Sequence, residues 1–182
     1  EVMNELTENL RAISKPHEGD KTCNPIPVMR YAVSACKGSA LKARCKVIHE
    51  IVPELPKVQI GTTQLTQILV NLLNNGVQAL ERSENRRGRV VLEAQTTSFV
   101  PEDGGGEPIE MVKFSVNDNG PGIEPEILEK LGTLFFTTRA EGTGLGISQC
   151  KRLTSQAQGE FEIDSVVGAG TTVSVYLPIA QT

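Results

Sequence analysis

Tryptophan is missing from this chain of 182 residues, and aromatic residues make up only 4 % of it. The core must therefore be built from Leu, Ile and Val. There are four cysteines and two histidines, and no cysteines form a C-x-x-C pair, so a zinc site is not expected. The scattered thiols are typical of reduced cysteines in an intracellular protein. A disulfide framework is the alternative, but a chain of this length can bury a core without one.

Strong charge of either sign is also missing. The chain has 18 basic and 22 acidic residues, a net charge of −4, which gives no reason to expect a nucleic-acid partner. No apolar run approaches the ~20 residues of a membrane-spanning helix, and no secretory signal opens the chain. We therefore expect a cytoplasmic chain, although the full-length protein can be membrane-attached. The first residue is Glu1 rather than Met, which suggests a piece of a longer protein.

The most regular part of the sequence is the stretch over residues 62–80. Apolar residues recur there at helical spacing, as on one buried face: Leu65, Ile68, Leu69, Leu72, Leu73 and Leu80. Asn71 and Asn75 stand one turn apart on a different, amide-rich face. Because Asn is a poor helix former, we interpret this face as functional, with a solvated Asn-rich surface as the alternative.

The rest of the chain alternates short helices and strands. Helices are expected over 1–14, 28–42, 124–131 and 147–158, and strands over 44–52, 89–99, 110–116, 160–166 and 171–177, with 57–60 as a short strand or turn. This order predicts an α+β fold, a two-layer α/β sandwich with helices on one face of a mixed, mostly antiparallel sheet. Residues 15–26 contain Pro and Gly and are expected to be a linker ahead of a domain over 27–182.

Several polar residues could act on a nucleotide. Gly144 and Gly146 precede an expected helix, where free backbone N–H groups favour a phosphate, unless the loop is only a flexible turn. Asp118 follows a buried strand and can accept a hydrogen bond from an exocyclic amine, or close an Asx-turn. Asn75 offers an oxygen to Mg²⁺, or bonds the backbone. Arg139 suits a terminal phosphate, or is a solvated surface residue.

The order of these pieces resembles the catalytic, ATP-binding domain of bacterial sensor histidine kinases, in the larger group with DNA gyrase, mismatch-repair ATPases and a heat-shock chaperone. The matching segments are NLLNNG (71–76) for the N box, DNGPGI (118–123) and GTGLG (142–146) for the two Gly boxes, LFFTT (134–138) for the F box, and GAGTTVSVYLP (168–178) for the closing strand. The short interval between FFTT and GTGLG looks most like the nitrogen-regulation type.

The resemblance implies that the chain binds ATP or ADP with Mg²⁺. Asn75 would hold the metal with Asn71 near the phosphates, Asp118 would bond the adenine amine, and Thr171 or Thr172 would assist it through water. Asn71 and Arg139 are the implied catalytic residues, and residues 133–141 the implied lid. The other implied nucleotide-binding residues are Gly120, Gly122, Ile123, Phe136, Thr138, Gly142, Thr143, Gly144, Leu145 and Gly146, with Thr172 taken in the closing strand.

Two departures from the family pattern shape the expected function. The phosphoacceptor histidine is missing, since His17 lies in the expected linker and His49 in an expected strand. Residues 1–14 would then be the end of a dimerisation helix, and the resemblance implies a full-length homodimer that phosphorylates the histidine of its own dimerisation domain and serves a response regulator receiver domain. Asn71 stands where the gyrase-like branch has a water-activating Glu, which favours a kinase over a hydrolase. A conformational ATPase, a non-catalytic nucleotide-binding module and an anti-sigma type Ser/Thr kinase are the alternatives.

Overall fold

A computed structural model describes residues 21–81, 83, 87–100, 107–131 and 146–181. The helix expected over residues 1–14 lies outside this part of the chain. The described elements, in chain order, are α1 Pro25–Lys42, β1 Lys46–Ile51, α2 Thr62–Glu81, β2 Arg89–Phe99, β3 Ile109–Asp118, α3 Pro125–Leu128, α4 Gly146–Gln156, β4 Glu160–Val166 and β5 Gly170–Pro178.

Helix α1 begins at Pro25, earlier than the expected start at residue 28. The Ile26 N–H donates to Asn24 Oδ1 at 3.1 Å, which caps the helix, and Pro25 is suited to the first turn because that turn has no acceptor for its missing N–H. Just before the helix, Cys23 and Val58 exchange two backbone hydrogen bonds. The short strand or turn expected over 57–60 is thus reduced to isolated bridges at Val58.

The strands form one sheet in the order β1–β2–β3–β5–β4. β1 pairs with β2 in parallel, and all the other neighbours are antiparallel. A parallel pair needs a crossover connection, which α2 supplies. The core-facing side chains of β3, such as Phe114 and Val116, are buried under the helices, and the opposite face of the sheet is mostly polar. The α+β two-layer sandwich with a mixed, mostly antiparallel sheet is confirmed.

Helix α2 is the centre of the helix layer and packs against α1, α4 and the sheet. Its predicted apolar face is confirmed, because all of its members are at most 2 % exposed: Leu65, Ile68, Leu69, Leu72, Leu73 and Leu80. Burying one such side chain is worth about 1.5–3 kcal/mol, so this face alone is a major part of the core. Among the described residues, no helix has both the length and the apolar content needed to cross a bilayer.

The observed bounds of the strands agree closely with the predicted ones, and the agreement is poorer next to the loops. β2 and β4 have the expected bounds, whereas β3 continues through Asn117 and Asp118, beyond its expected end at residue 116. Pairing explains the extension, since Asp118 lies in register between Val90 of β2 and Thr171 of β5. The helix expected over 124–131 is shorter than predicted, because only the single turn Pro125–Leu128 forms.

Helix α4 contains a buried polar atom that the described part of the chain does not satisfy. Thr154 is fully buried, and its Oγ1 has no hydrogen-bond partner there. Burying a hydroxyl without a partner costs about 1–3 kcal/mol.

We therefore expect Thr154→Val, which keeps the shape and removes the hydroxyl, to raise the free energy of unfolding by about 1 kcal/mol. Urea unfolding followed by circular dichroism measures the change. Thr154→Ser, which keeps the hydroxyl and loses the methyl group, is the matched control and should be destabilised. A stability of Thr154→Val below that of the unaltered chain would show that the hydroxyl has a partner.

Candidate nucleotide site

Asp118 is held at the end of β3, next to helix α2. The register places it between Val90 of β2 and Thr171 of β5. Its carboxylate Oδ1 accepts a hydrogen bond of 2.9 Å from the Gly120 N–H. The side chain is half-buried on the helix-facing side of the sheet. Pairing with both neighbouring strands and the hydrogen bond from Gly120 together fix its position.

The surroundings of Asp118 disfavour its charged form. Burial raises the pKa of this carboxyl above its ordinary value, and hydrogen bonds from the backbone N–H groups of Gly120 and Thr171 partly oppose the rise. A carboxylate with little water around it has a strong tendency to accept a hydrogen bond from a ligand.

The loop after Asp118 is fastened to the β4–β5 hairpin. The Gly168 N–H donates to the Pro121 carbonyl at 2.7 Å, and the Ile123 N–H donates to Ser165 Oγ at 2.9 Å. Ser165 Oγ lies 2.8 Å from Thr171 Oγ1, so the hydroxyl that holds the loop also contacts the residue opposite Asp118. Residues 119–123 are therefore held against the hairpin rather than being a loose connection.

Two glycines allow the loop and the hairpin to approach each other. Gly122 has φ +72° and Gly170 has φ +120°, backbone conformations that residues with a side chain rarely adopt. A methyl group at Gly122 would collide with the Val166 carbonyl, and one at Gly170 would collide with the Asp118 carbonyl. Substitution at either glycine would therefore separate the two walls of the site.

Helix α2 brings a glycine against the same region. A methyl group at Gly76 would lie 3.0 Å from Val90 Cγ1 and 3.5 Å from the Asp118 Cβ. Glycine inside a helix costs roughly 0.5–1 kcal/mol relative to Ala, so its position here is explained by close packing with the sheet. The neighbouring Asn75 and, one turn earlier, Asn71 are half-buried, whereas Gln67 on the same amide-rich face is exposed.

Thr172 is not brought to Asp118. It pairs with Asn117, and its Oγ1 donates to Asn117 Oδ1 at 2.7 Å on the polar face of the sheet, away from the helices. Of the two threonines considered from the sequence, Thr171 is the one beside Asp118.

The described residues contain part of the predicted site. The structure holds Asp118, Gly120, Gly122 and Ile123 together at the end of β3, and α2 touches this region at Gly76, directly after Asn75 and just over one turn after Asn71. Gly146 begins α4, which packs on α2. The remaining predicted residues lie outside the described part of the chain: Phe136, Thr138, Arg139, Gly142, Thr143, Gly144 and Leu145.

A family model described as histidine kinase-, DNA gyrase B- and HSP90-like ATPase matches residues 61–181. The chain belongs to this ATPase family. The matched region begins just before α2 and ends after β5, so it includes every described residue of the candidate site. The resemblance seen in the sequence boxes is confirmed.

Curated relatives within this ATPase family are sensor kinases. The sensory histidine kinase/phosphatase NtrB of Salmonella typhimurium is 31 % identical over 94 % of this chain and 48 % of its own length. The sensor histidine kinase ZraS of the same organism is 28 % identical over 97 % of this chain and 35 % of its own length. The chain thus spans about a third to a half of these relatives.

Solved structures show the same fold. The catalytic domain of histidine kinase ThkA has a TM-score of 0.68 at 23 % identity, covering 87 % of this chain and 94 % of that domain. Full-length ShkA, solved in complex with AMPPNP, has a TM-score of 0.68 at 20 % identity. The match covers all of this chain and 36 % of the ShkA chain.

The residues present fit an adenine nucleotide with Mg²⁺. The half-buried Asp118 carboxylate can accept a hydrogen bond from the exocyclic amine of adenine. No cluster of three or more His, Cys, Asp and Glu occurs within the described ranges. A metal held by the Asn75 oxygen would therefore take most of its other ligands from phosphates and water, as Mg²⁺ commonly does.

The sequence did not indicate Ser165, and Thr172 rather than Thr171 was the residue expected to bind nucleotide in the closing strand. The signal for Thr171 was present, because the buried residues Val173, Val175 and Leu177 alternate on β5 and place residue 171 on the same face. Ser165 had no comparable signal, since its importance depends on which loop docks against β4.

The raised pKa of Asp118 has a consequence for stability. A carboxyl whose pKa is raised on folding stabilises the folded state below its unfolded pKa of about 4 and loses this contribution as the pH rises through the folded pKa. At pH 7 the ionised Asp118 therefore lowers stability. We expect Asp118→Asn, which keeps the oxygen that the Gly120 N–H bonds, to raise the midpoint of thermal unfolding at pH 7.

The gain of Asp118→Asn should shrink as the pH falls below about 4, where the carboxyl is protonated in both states. Scanning calorimetry from pH 3 to pH 8 measures this. The matched control is Asp164→Asn, because Asp164 is exposed on the polar face of β4. A gain that is the same at all pH values would show that burial of the charge is not its cause.

Proposed function

We propose that this chain binds Mg·ATP and transfers the γ-phosphoryl group to a histidine of a separate dimerisation domain, as the catalytic part of a two-component sensor histidine kinase. The observation that carries the proposal is the half-buried Asp118 carboxylate, fixed at the end of β3 next to the helix that bears Asn71 and Asn75. The names of the curated relatives support the same activity.

The adenine end of the nucleotide would be selected by Asp118. A carboxylate accepts a hydrogen bond from the adenine amine but repels the carbonyl oxygen that guanine has in the same place. The base would be bordered by Gly120, Gly122 and Ile123. Thr171 would assist Asp118 in holding the base through a water molecule. The fixed position of the carboxylate reduces the entropy lost on binding.

The phosphate end would lie against α2 and the start of α4. Asn75 would offer an oxygen to Mg²⁺, and Asn71 would hydrogen-bond the phosphates. The Gly-rich residues 142–146 would wrap the phosphates with their backbone N–H groups, and Arg139 would neutralise charge on the γ-phosphoryl group. Mg²⁺ supplies charge neutralisation across the phosphates when it is bound.

The chemical step needs little from the protein beyond position and charge. The bond between the γ-phosphorus and the β–γ bridging oxygen breaks, a nitrogen–phosphorus bond to the acceptor imidazole forms, and ADP leaves. The neutral amide of Asn71 cannot remove a proton from water, so hydrolysis is disfavoured relative to transfer. This favours a kinase over a conformational ATPase.

The proposal includes partners and domain organisation. The catalytic domain, expected over residues 27–182, would also include Cys23 and the start of α1 at Pro25. The linker would precede them, and residues 1–14 would be the end of the dimerisation helix of a homodimer. The partners would be the phosphoacceptor histidine of that dimerisation domain and the receiver domain of a response regulator, with no nucleic acid. The 31 % identity with NtrB supports a nitrogen-regulation type of kinase.

The activity is tested by phosphotransfer in trans. We would mix this chain, γ-labelled ATP and Mg²⁺ with the segment encoded upstream of Glu1, and follow acid-labile, base-stable label on that segment. We expect labelling, and we expect Asn75→Ala to slow it by about a hundredfold or more, because a group that stabilises phosphoryl charge is removed. Asn74→Ala, one residue away on the same helix, is the matched control and should label normally.

Release of free phosphate without labelled segment would move the assignment to a conformational ATPase. Nucleotide binding without either product would leave a non-catalytic nucleotide-binding module. Label on serine or threonine of a partner, stable in acid, would identify the anti-sigma type of kinase.

Nucleotide selection by Asp118 gives a second test. We expect Asp118→Asn to weaken ATP binding by about 10- to 100-fold, because a hydrogen bond to a charged acceptor is replaced by one to an amide. The preference for ATP over GTP should narrow, since the amide can also donate to guanine. Isothermal titration calorimetry with both nucleotides measures the ratio, and Asp164→Asn should leave it unchanged. An unaltered ratio in Asp118→Asn would remove Asp118 from the base-recognition site.

A further inference from the structure

A row of polar side chains crosses the helix-facing side of the sheet at the level of Asp118. Ser165 of β4 is in register with Thr171 of β5, and Thr171 is in register with Asp118 of β3. Side chains directly opposite each other on antiparallel strands have Cβ atoms about 4.5–5.5 Å apart. The Thr171 hydroxyl therefore stands between two polar neighbours, the Ser165 hydroxyl on one side and the Asp118 carboxylate on the other.

The Ser165 hydroxyl has three partners, and their chemistry fixes the direction of each hydrogen bond. The Ile123 N–H donates to Ser165 Oγ at 2.9 Å. Ser165 in turn gives its one proton to the Gly170 carbonyl oxygen at 3.0 Å, because a carbonyl oxygen can only accept. Thr171 Oγ1 lies 2.8 Å from Ser165 Oγ. This third bond forms only if Thr171 donates its own proton to Ser165.

This direction of donation keeps the Thr171 proton away from Asp118. A threonine hydroxyl has one proton, and its lone pairs stay available to a water molecule. The Asp118 carboxylate accepts from the backbone, with the Gly120 N–H at 2.9 Å from Oδ1, but not from the hydroxyl beside it. The raised pKa of Asp118 agrees with a carboxylate that has few donors around it. It keeps the capacity to accept a hydrogen bond from a ligand.

We propose that Ser165 is a positioning residue that holds the Thr171 hydroxyl proton away from Asp118, so that the carboxylate is left for the exocyclic amine of adenine. The inference rests on the proposed binding of adenine by Asp118. Without Ser165, the Thr171 hydroxyl would rotate toward the carboxylate, because hydrogen bonds to a charged acceptor are roughly twice as strong as neutral ones. The amine of the nucleotide would then compete with a donor of the chain itself.

The same serine also holds the loop, so two effects of its removal have to be separated. The bond from the Ile123 N–H fastens residues 119–123 to β4, and its loss would loosen that wall of the site. A looser wall weakens every nucleotide that occupies the site, whereas competition by Thr171 weakens only a nucleotide that has a donor for Asp118. Two nucleotides that differ only in the exocyclic amine therefore distinguish the two effects.

The experiment measures the binding of ATP and of purine riboside triphosphate, which lacks the exocyclic amine, to the 182-residue chain with Mg²⁺ by isothermal titration calorimetry. We expect the unaltered chain to prefer ATP. Ser165→Ala should reduce this preference by about 3- to 10-fold, the contribution of one hydrogen bond. Ser165→Thr keeps the hydroxyl and should restore the preference.

The face of the sheet opposite the helices supplies a matched control. Ser174 of β5 is buried, and its Oγ lies 3.4 Å from Oγ of Ser115 on β3. It is thus also a serine hydroxyl that contacts a hydroxyl on the neighbouring strand, but on the face away from Asp118. Ser174→Ala should leave the preference for ATP unchanged.

A double-mutant cycle connects the effect to the Thr171 hydroxyl. In a Thr171→Val background no hydroxyl is present to compete, so Ser165→Ala should not change the preference for ATP. In the unaltered chain, NMR should show a Thr171 hydroxyl proton that exchanges slowly with solvent and has a nuclear Overhauser contact with the Ser165 β-protons. This last measurement needs no variant and so holds even if Ser165→Ala folds poorly.

The outcomes separate the inference from the proposed function. If Ser165→Ala weakens both triphosphates by the same factor or leaves both unchanged, or if the preference falls equally in the Thr171→Val background, the positioning role is wrong and the nucleotide site stands. The role is also wrong if the Thr171 hydroxyl proton exchanges rapidly or contacts the Asp118 β-protons instead. If the unaltered chain binds both triphosphates equally well, or neither, recognition of adenine by Asp118 fails, and the inference fails with it.

Discussion

Helix α2 has to satisfy two environments at once, and the rest of the structure depends on how it does so. One face is fully buried against α1, α4 and the sheet, which holds the helix in place. A second face carries Asn71 and Asn75 half-buried toward the site. Because the packed face allows no rotation of the helix, the two amides are presented in one direction only. Gly76 then lets the same helix approach Val90 and Asp118 closely, which fixes the distance between the helix and the carboxylate.

The sheet contributes a different kind of rigidity. Asp118 is placed by ladders on both sides, and the loop that follows it is bonded to the β4–β5 hairpin through Pro121 and Ile123. Keeping an ionised carboxyl in these half-buried surroundings reduces stability. A binding residue that is unfavourable for the fold is typical of functional sites, where the environment is shaped for the ligand rather than for stability.

Regular patterns in the sequence predicted much of the fold. The spacing of apolar residues identified α2 and its buried face, and alternation identified β2 and β4 with their bounds. Contacts that join distant segments could not be predicted in this way. The edge position of β1 depends on strand pairing, and the contact between the Cys150 sulfur and the Ile68 carbonyl oxygen depends on how two helices pack. Choosing Thr172 over Thr171 was an error of a single position, but in a strand one position reverses the face.

The order of the strands also affects when the site can form. β3 lies in the middle of the sheet, yet its second neighbour, β5, follows it in the chain only after α4 and β4. Until β5 has left the ribosome, one edge of β3 is unpaired and Asp118 lacks its partner Thr171. Closing this pair also requires a long loop, which is entropically slow. A growing chain can therefore pack α2 against α1 early, but it acquires the wall beside Asp118 only after β5 has been made.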